Sequence, residues 1–233
     1  LGANDVTVIG ARSNQPRQAT TSGVANGGGA TWMTPLAGAT STTTPLITVR
    51  GQATTLANIY INSSATAAPA ISLLMNGAGD PPLDASAEHA VLYNCYITGA
   101  HHGVIASGGP NFVTLDSCRF FGFSGGTDTA VSTVTGAGLH TNYGWVIKNC
   151  EFEGNIRHIT AALSGASMHD NHLTYIDNTV TTAIFIDFTG GANNAVWNNR
   201  FDVDSGNGGI ATMFVLGTND RWGPNMLSTA VTT

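Results

Sequence analysis

Leu115-Asp116-Ser117-Cys118-Arg119-Phe120 lies, position for position, on six other stretches of the same chain. They are Leu56-Ala57-Asn58-Ile59-Tyr60-Ile61, Leu92-Tyr93-Asn94-Cys95-Tyr96-Ile97 and Ile147-Lys148-Asn149-Cys150-Glu151-Phe152. Then come Met168-His169-Asp170-Asn171-His172-Leu173, Val196-Trp197-Asn198-Asn199-Arg200-Phe201 and Trp222-Gly223-Pro224-Asn225-Met226-Leu227. The first and last columns are apolar throughout, and all three cysteines of the chain fall in the fourth. A spacing of about 20–50 residues between such units marks a solenoid.

The columns carry physical meaning. Positions one, four and six are expected to point inward, and positions two and five outward. That pattern breaks strict alternation along a strand, so one residue must be absorbed at position three. Position three holds Asn58, Asn94, Ser117, Asn149, Asp170, Asn198 and Pro224. Asn and Asp tolerate left-handed backbone best among non-glycine residues, so this column predicts a bend within the strand. Position four (Ile59, Cys95, Cys118, Cys150, Asn171, Asn199, Asn225) then faces the interior, where stacked amides bond along a ladder at about 4.8 Å per strand.

A second strand is predicted before each segment, at 46–49, 70–75, 103–106, 137–140, 158–163, 183–188 and 211–216. Most of these strands end at glycine: Gly51, Gly77, Gly108 with Gly109, Gly165, Gly190 with Gly191, and Gly217. The predicted unit is strand, short turn, bent strand, longer loop. Stacked, such units make an all-β parallel β-helix of about seven coils. Asp5-Val6-Thr7-Val8-Ile9-Gly10 opens an earlier, incomplete coil. The reading is one domain over 1–233, with a partial coil and loop insertion in 1–45 and regular coils in 46–227. The stretch 13–44, containing Trp32 and Met33, is read as a loop, and 78–88 and 122–135 as similar insertions. Solenoids gather insertions of this kind on one side.

Composition agrees. Charged residues make up 9% of the chain and there are 29 glycines, which suits strands and tight turns rather than long amphipathic helices. Hydrophobic content of 42% excludes a disordered chain. A net charge of −6, with Lys and Arg scattered, argues against a nucleic-acid partner. No apolar run approaches the roughly 20 residues that cross a bilayer, and no signal-peptide pattern is visible. The chain begins at Leu1, so it reads as a processed product or the ordered part of something longer. An upstream segment or a partner subunit is expected to cover the strand edges of the first coil.

The three cysteines, all in an inward column, read as buried free thiols packing as small hydrophobes. No CxxC or CxxH pair supports zinc, and no cofactor is implied. Asp202-Val203-Asp204-Ser205-Gly206 has the look of a calcium loop but lacks the later Gly and Glu of that motif.

Chemistry would have to sit on the outward columns. Column two runs Ala57, Tyr93, Asp116, Lys148, His169, Trp197, Gly223, and column five runs Tyr60, Tyr96, Arg119, Glu151, His172, Arg200, Met226. In-register stacking makes Asp116 a neighbour of Lys148 and Arg119 a neighbour of Glu151. The favoured reading is two exposed ion pairs worth about 0–1 kcal/mol each. The alternative is a carbohydrate groove, with Tyr60, Tyr93, Tyr96 and Trp197 as a stacking platform and Arg119 and Arg200 as polar contacts. Asp116 and Glu151 are then the weak catalytic candidates, since a glycosidase needs two carboxyls roughly 5–9.5 Å apart. Glu151 and Glu153 flank Phe152 on one strand face. His169 and His172 are predicted to share the outer face, but no third ligand accompanies them or His101-His102, so no metal is assigned.

Val113-Thr114-Leu115-Asp116-Ser117-Cys118-Arg119-Phe120 and Trp145-Val146-Ile147-Lys148-Asn149-Cys150-Glu151-Phe152 resemble coils of the pectate-lyase-like right-handed β-helix superfamily. The resemblance spans 5–227 and implies the fold; activity lives in sites, not folds. That superfamily includes pectate lyases, polygalacturonases and the trimeric tailspikes and other virion proteins of bacteriophages. Its enzyme signatures are missing: Thr218-Asn219-Asp220 and His102-Gly103 are the nearest stretches to the polygalacturonase motifs and match none of them. The outward columns also lack a lyase-like calcium cluster. The resemblance thus implies a structural virion protein, a head decoration (cement) protein or a tail spike or fibre domain. Such a protein would be a homotrimer contacting capsid or tail subunits, assembled in the host cytoplasm without membrane or nucleic acid. The alternatives are a lyase or hydrolase of host surface polysaccharide, or a glycan-binding module.

Overall fold

Six of the seven third-column residues have left-handed backbone: Asn58, Asn94, Ser117, Asn149, Asp170 and Asn198 have φ between 50° and 58°. Each is a corner rather than a bend within one strand, because the chain leaves one sheet before it and enters another after it. The computed structural model describes residues 6–10, 31–33, 44–63, 68–75, 86–99, 101–124, 127–134, 142–175, 184–203 and 214–228. Among these there is no helix; the protein is all-β.

The strands form three main sheets. The first contains Thr7–Ile9, Thr55–Ala57, Val91–Tyr93, Thr114–Asp116, Val146–Lys148, Ser167–His169, Ala195–Trp197 and Arg221–Trp222. The second contains Thr31–Met33, Ile59–Asn62, Tyr96–Thr98, Arg119–Phe121, Glu151–Glu153, His172–Tyr175, Arg200–Val203 and Met226–Leu227. The third contains Ile47–Val49, Ile71–Leu74, Val104–Ser107, Thr129–Val134, Arg157–Thr160, Ile184–Asp187 and Phe214–Val215. Neighbouring strands are parallel, and the chain visits first, second and third sheet in turn before returning to the first. Each strand therefore pairs with its counterpart one repeat away, an arrangement compatible with a solenoid.

The sequence columns are the pairing register. Leu56, Leu92, Leu115, Ile147, Met168, Val196 and Trp222 are successive partners in the first sheet. Ile61, Ile97, Phe120, Phe152, Leu173, Phe201 and Leu227 are successive partners in the second. All but the last of each set are buried, while Trp222 and Leu227 are partly exposed in the last described unit. Phe120 and Phe152 stack with ring centroids 4.8 Å apart. Removing one such side chain from water contributes about 1.5–3 kcal/mol.

Three expectations need correcting. Thr7–Ile9 does belong to an earlier unit, pairing with Thr55–Ala57, but that unit draws its second-sheet strand, Thr31–Met33, from the stretch read as loop. The third-sheet strand preceding Val146–Lys148 is Thr129–Val134, inside a predicted insertion, and 137–140 lies outside the described residues. Thr129-Ala-Val-Ser-Thr-Val has the β-branched content of a strand, and the neighbouring glycines obscured it. Finally, the unit is three strands rather than two, since the left-handed residue divides the predicted bent strand.

The interior fourth column solves the corner's hydrogen-bonding problem in two chemistries. Cys95, Cys118 and Cys150 are free and buried, and their thiols donate to the carbonyls of Leu56 (3.4 Å), Leu92 (3.3 Å) and Leu115 (3.5 Å). Asn171, Asn199 and Asn225 donate from Nδ2 to the equivalent carbonyls of Ile147 (2.9 Å), Met168 (3.1 Å) and Val196 (3.2 Å). The amides add what a thiol cannot: Asn171 Nδ2 donates to Asn199 Oδ1 at 2.9 Å, and Asn199 Nδ2 to Asn225 Oδ1 at 3.0 Å. Each Oδ1 also accepts a backbone N–H of the preceding unit, from Cys150 to Asn171, Asn171 to Asn199 and Asn199 to Asn225.

A second left-handed column closes the corner from third to first sheet. Two residues before successive first-sheet strands stand Ala53, His89, Phe112, Gly144, Gly165, Asn193 and Asn219, with φ between 52° and 66°. Gly and Asn adopt this conformation readily, whereas in bulkier residues it costs about 1–2 kcal/mol.

Candidate functional site on the outer sheet faces

Register delivers the outward columns as continuous rows. On the first sheet, Tyr93, Asp116, Lys148, His169 and Trp197 are successive partners. On the second, Tyr60, Tyr96, Arg119, Glu151, His172 and Arg200 form one row. A parallel row two residues on runs Asn62, Thr98, Phe121, Glu153, Thr174 and Asp202.

Every carboxylate in these rows has a cationic or imidazole partner. Asp116 lies 3.3 Å from Lys148 Nζ and accepts from Asn149 Nδ2 (3.0 Å) and Ser117 Oγ (2.9 Å). Partial burial opposes its charge, but the bonds from Asn149, Ser117 and Lys148 outweigh it and hold the carboxyl below its ordinary value. Arg119 bonds to Glu153, sits 3.6 Å from Glu151, and lies over the rings of Tyr96 (5.5 Å) and Phe121 (5.7 Å). Asp202 takes both His172 Nε2 (2.7 Å) and Arg200 Nε (2.6 Å), and Thr174 Oγ1 is 3.0 Å from the same imidazole nitrogen.

Asp116 and Glu151 fall on different sheets on either side of the left-handed corner. Each faces its own cation rather than the other carboxyl. A hydrolase needs one carboxyl kept protonated near neutrality beside one kept ionised. Asp116, held below its ordinary value, favours the ionised form.

The six glycan candidates divide as well. Tyr93 (46% exposed) and Trp197 (36%) stand out from the first sheet, and Arg200 is exposed on the second. Tyr60 (7%) and Tyr96 (4%) are buried, stacked on each other at 4.8 Å, although both were expected to face solvent. Burial pushes the Tyr96 hydroxyl up to about 12. Arg119 is committed to the two glutamates. Trp197 stacks on His169 at 4.6 Å, so one face of its ring is covered. The aromatic side chains therefore do not form one open platform.

The histidines also separate. His169, on the first sheet, bonds through Nδ1 to Asp170 at 2.6 Å, while His172, past the corner, bonds to Asp202 on the second. They do not share a face as expected. His101 Nδ1 lies 3.1 Å from buried Asp128, and His102 Nδ1 accepts from Thr129 N–H at 3.1 Å. Among the described residues, no group of three or more His, Cys, Asp or Glu side chains is placed to hold a metal.

Two features had no sequence signal. His158 is fully buried, stacks on Phe185 at 5.2 Å and meets Asn155 Nδ2 at 3.0 Å through Nδ1. His89 and Phe112 stack in the second left-handed column and Tyr143, one residue before that column's Gly144, meets Phe112 edge-on, and the residue types of the column vary too much to align. Compared with known proteins, the chain matches no protein-family model, no curated protein and no solved structure.

Proposed function

We propose that this chain is a right-handed parallel β-helix of about seven coils, serving as a non-enzymatic structural protein of a bacteriophage virion. Its place is a head decoration (cement) protein or a tail spike or fibre domain, as a homotrimer against capsid or tail subunits. The observation that carries the non-enzymatic reading is the neutralised outer face: among the described residues, Asp116, Glu151, Glu153 and Asp202 on the outer rows each lie against a cationic partner. The seven third-sheet strands among the described residues support a count of about seven coils, and the strong preference for right-handed crossovers between parallel strands supports the handedness. The virion assignment draws on the resemblance of the repeated segments to β-helix coils and on their thin charge.

The test has two arms. Antibody labelling of purified phage particles is expected to place the chain on the head or the tail. Incubation of the purified protein with host surface polysaccharide is expected to release no oligosaccharide. Release that disappears in Asp116→Asn or Glu151→Gln would overturn the reading in favour of a polysaccharide-degrading enzyme.

A further inference from the structure

Where the chain enters the third sheet, two adjacent imidazoles lie against one buried carboxylate. Asp128 has His101 Nδ1 at 3.1 Å and His102 Nε2 at 3.8 Å, and these imidazoles are its ion-pair partners among the described residues. The group stands on neither of the outward rows, and the structural reading above makes no use of it.

The two rings use their nitrogens differently. A carboxylate only accepts, so His101 Nδ1 carries the hydrogen and its Nε2 keeps a free lone pair. Protonating His101 therefore breaks no bond to Asp128. In His102 the Nδ1 lone pair accepts the Thr129 N–H at 3.1 Å, so Nε2 carries the hydrogen. A further proton can enter His102 only at Nδ1, where it displaces the Thr129 N–H. Thr129 is buried and opens the strand Thr129–Val134, and its carbonyl accepts from Gly103 N–H at 3.1 Å. A buried N–H left without an acceptor forces the start of that strand off the ring.

Few charges surround His102. Asp128 favours the protonated ring, whereas His101 and Arg157, the latter paired with Thr129 on the next coil, oppose it. On the preceding coil Ala70 N–H bonds to His102 O at 2.9 Å, and 68–70 holds no titratable side chain. Burial is the largest influence and holds the imidazole below its ordinary value despite Asp128.

We infer that His102 is a proton-operated catch between successive coils, holding the start of Thr129–Val134 when neutral and releasing it when protonated. The folded ring takes a proton less readily than a released one. The catch is therefore closed above about pH 6.5 and weakens as the pH falls below that value. Mild acid becomes a signal that the scaffold answers at one place.

Amide hydrogen exchange of the full chain, read by NMR from about pH 7 to 4 and corrected for intrinsic rates, tests this. Relative to the core amide of Phe152, exchange at Thr129 is expected to accelerate by up to about tenfold per pH unit below about 6.5. His102→Asn offers a carboxamide oxygen in place of Nδ1 and cannot take up the proton. It is expected to keep Thr129 protected without the acceleration. His101→Asn still donates to Asp128 but carries no charge, and is expected to move the response toward neutral pH. In the unaltered chain the His102 ring and the Thr129 amide are expected to titrate with one midpoint, a readout that stands even where a variant fails to fold. Thr129 protection that does not change with pH, acceleration retained in His102→Asn, or separate midpoints would each overturn the catch. A response that His101→Asn leaves in place or moves toward acid would overturn the part assigned to His101.

Discussion

Replacing Asn199 probes the interior ladder most directly, because two repeats depend on one side chain. Its Oδ1 accepts the Asn171 backbone N–H at 3.0 Å, and its Nδ2 donates to Met168 O at 3.1 Å and Trp197 O at 3.0 Å. Asn199→Ala strands a buried N–H, costing about 1–3 kcal/mol, and loses carbonyl bonds worth about 0.5–1.5 kcal/mol each. The sum is a destabilisation of about 2–6 kcal/mol. Asn199→Cys is a sharper test, since a thiol in this column donates to the same class of carbonyl, as Cys150 does to Leu115. It is expected to recover about 0.5–1.5 kcal/mol relative to Ala but not the stranded N–H. Urea unfolding followed by circular dichroism reads the order wild type, Cys, Ala from the midpoints, provided the slopes agree. If Cys is no better than Ala, thiol and amide are not equivalent donors. If Ala lies within about 0.5 kcal/mol of wild type, the ladder contributes nothing that water does not replace.

Burial pushes the His158 imidazole down to about 3. Between there and the ordinary value near 6.5 the unfolded chain binds a proton that the folded chain refuses, so stability is complete above about 6.5 and falls toward acid by up to about 1.4 kcal/mol per pH unit. His158→Phe is expected to remove that slope in unfolding measured from pH 4 to 7. Arg119→Met leaves Glu151 and Glu153 on one strand face without their shared cation, and is expected to cost about 1–3 kcal/mol, a deficit that shrinks in high salt when midpoints are compared. Asn149→Val places a branched side chain at φ 54° and is expected to be about 1–2 kcal/mol less stable in thermal unfolding than Asn149→Gly, which loses the same bond to Asp116 but keeps the backbone relaxed.

The sequence revealed those parts of the fold where one physical demand repeats. The inward columns need apolar bulk, and Leu115 or Phe120 recurs as Leu, Ile, Met, Val or Phe. The Asn58 column needs left-handed backbone, and Asn or Asp fills five of its seven places. Thr31–Met33 was hidden because three residues in a Gly- and Thr-rich stretch carry too little periodicity to separate from loop. The second left-handed column was hidden for the opposite reason: tolerance there is wide, so Ala53, Phe112 and Asn219 share a backbone conformation without sharing chemistry. The ion pairs of the outer face followed from register alone, as Asp116 with Lys148 shows. The burial of Tyr60 and Tyr96 did not, because alternation predicts only which way a side chain points, not what lies over it.

The amide ladder has a direction. Cys150 N–H is satisfied by Asn171, Asn171 N–H by Asn199, and Asn199 N–H by Asn225, so each corner is completed by the repeat that follows it in the chain. During synthesis the nascent chain therefore matures with a lag of one repeat, a corner settling only after its successor has left the ribosome. Damage travels the other way: loss of the repeat containing Asn225 unsettles Asn199 first, and fraying advances toward the amino terminus until it meets the thiol corners at Cys150, Cys118 and Cys95.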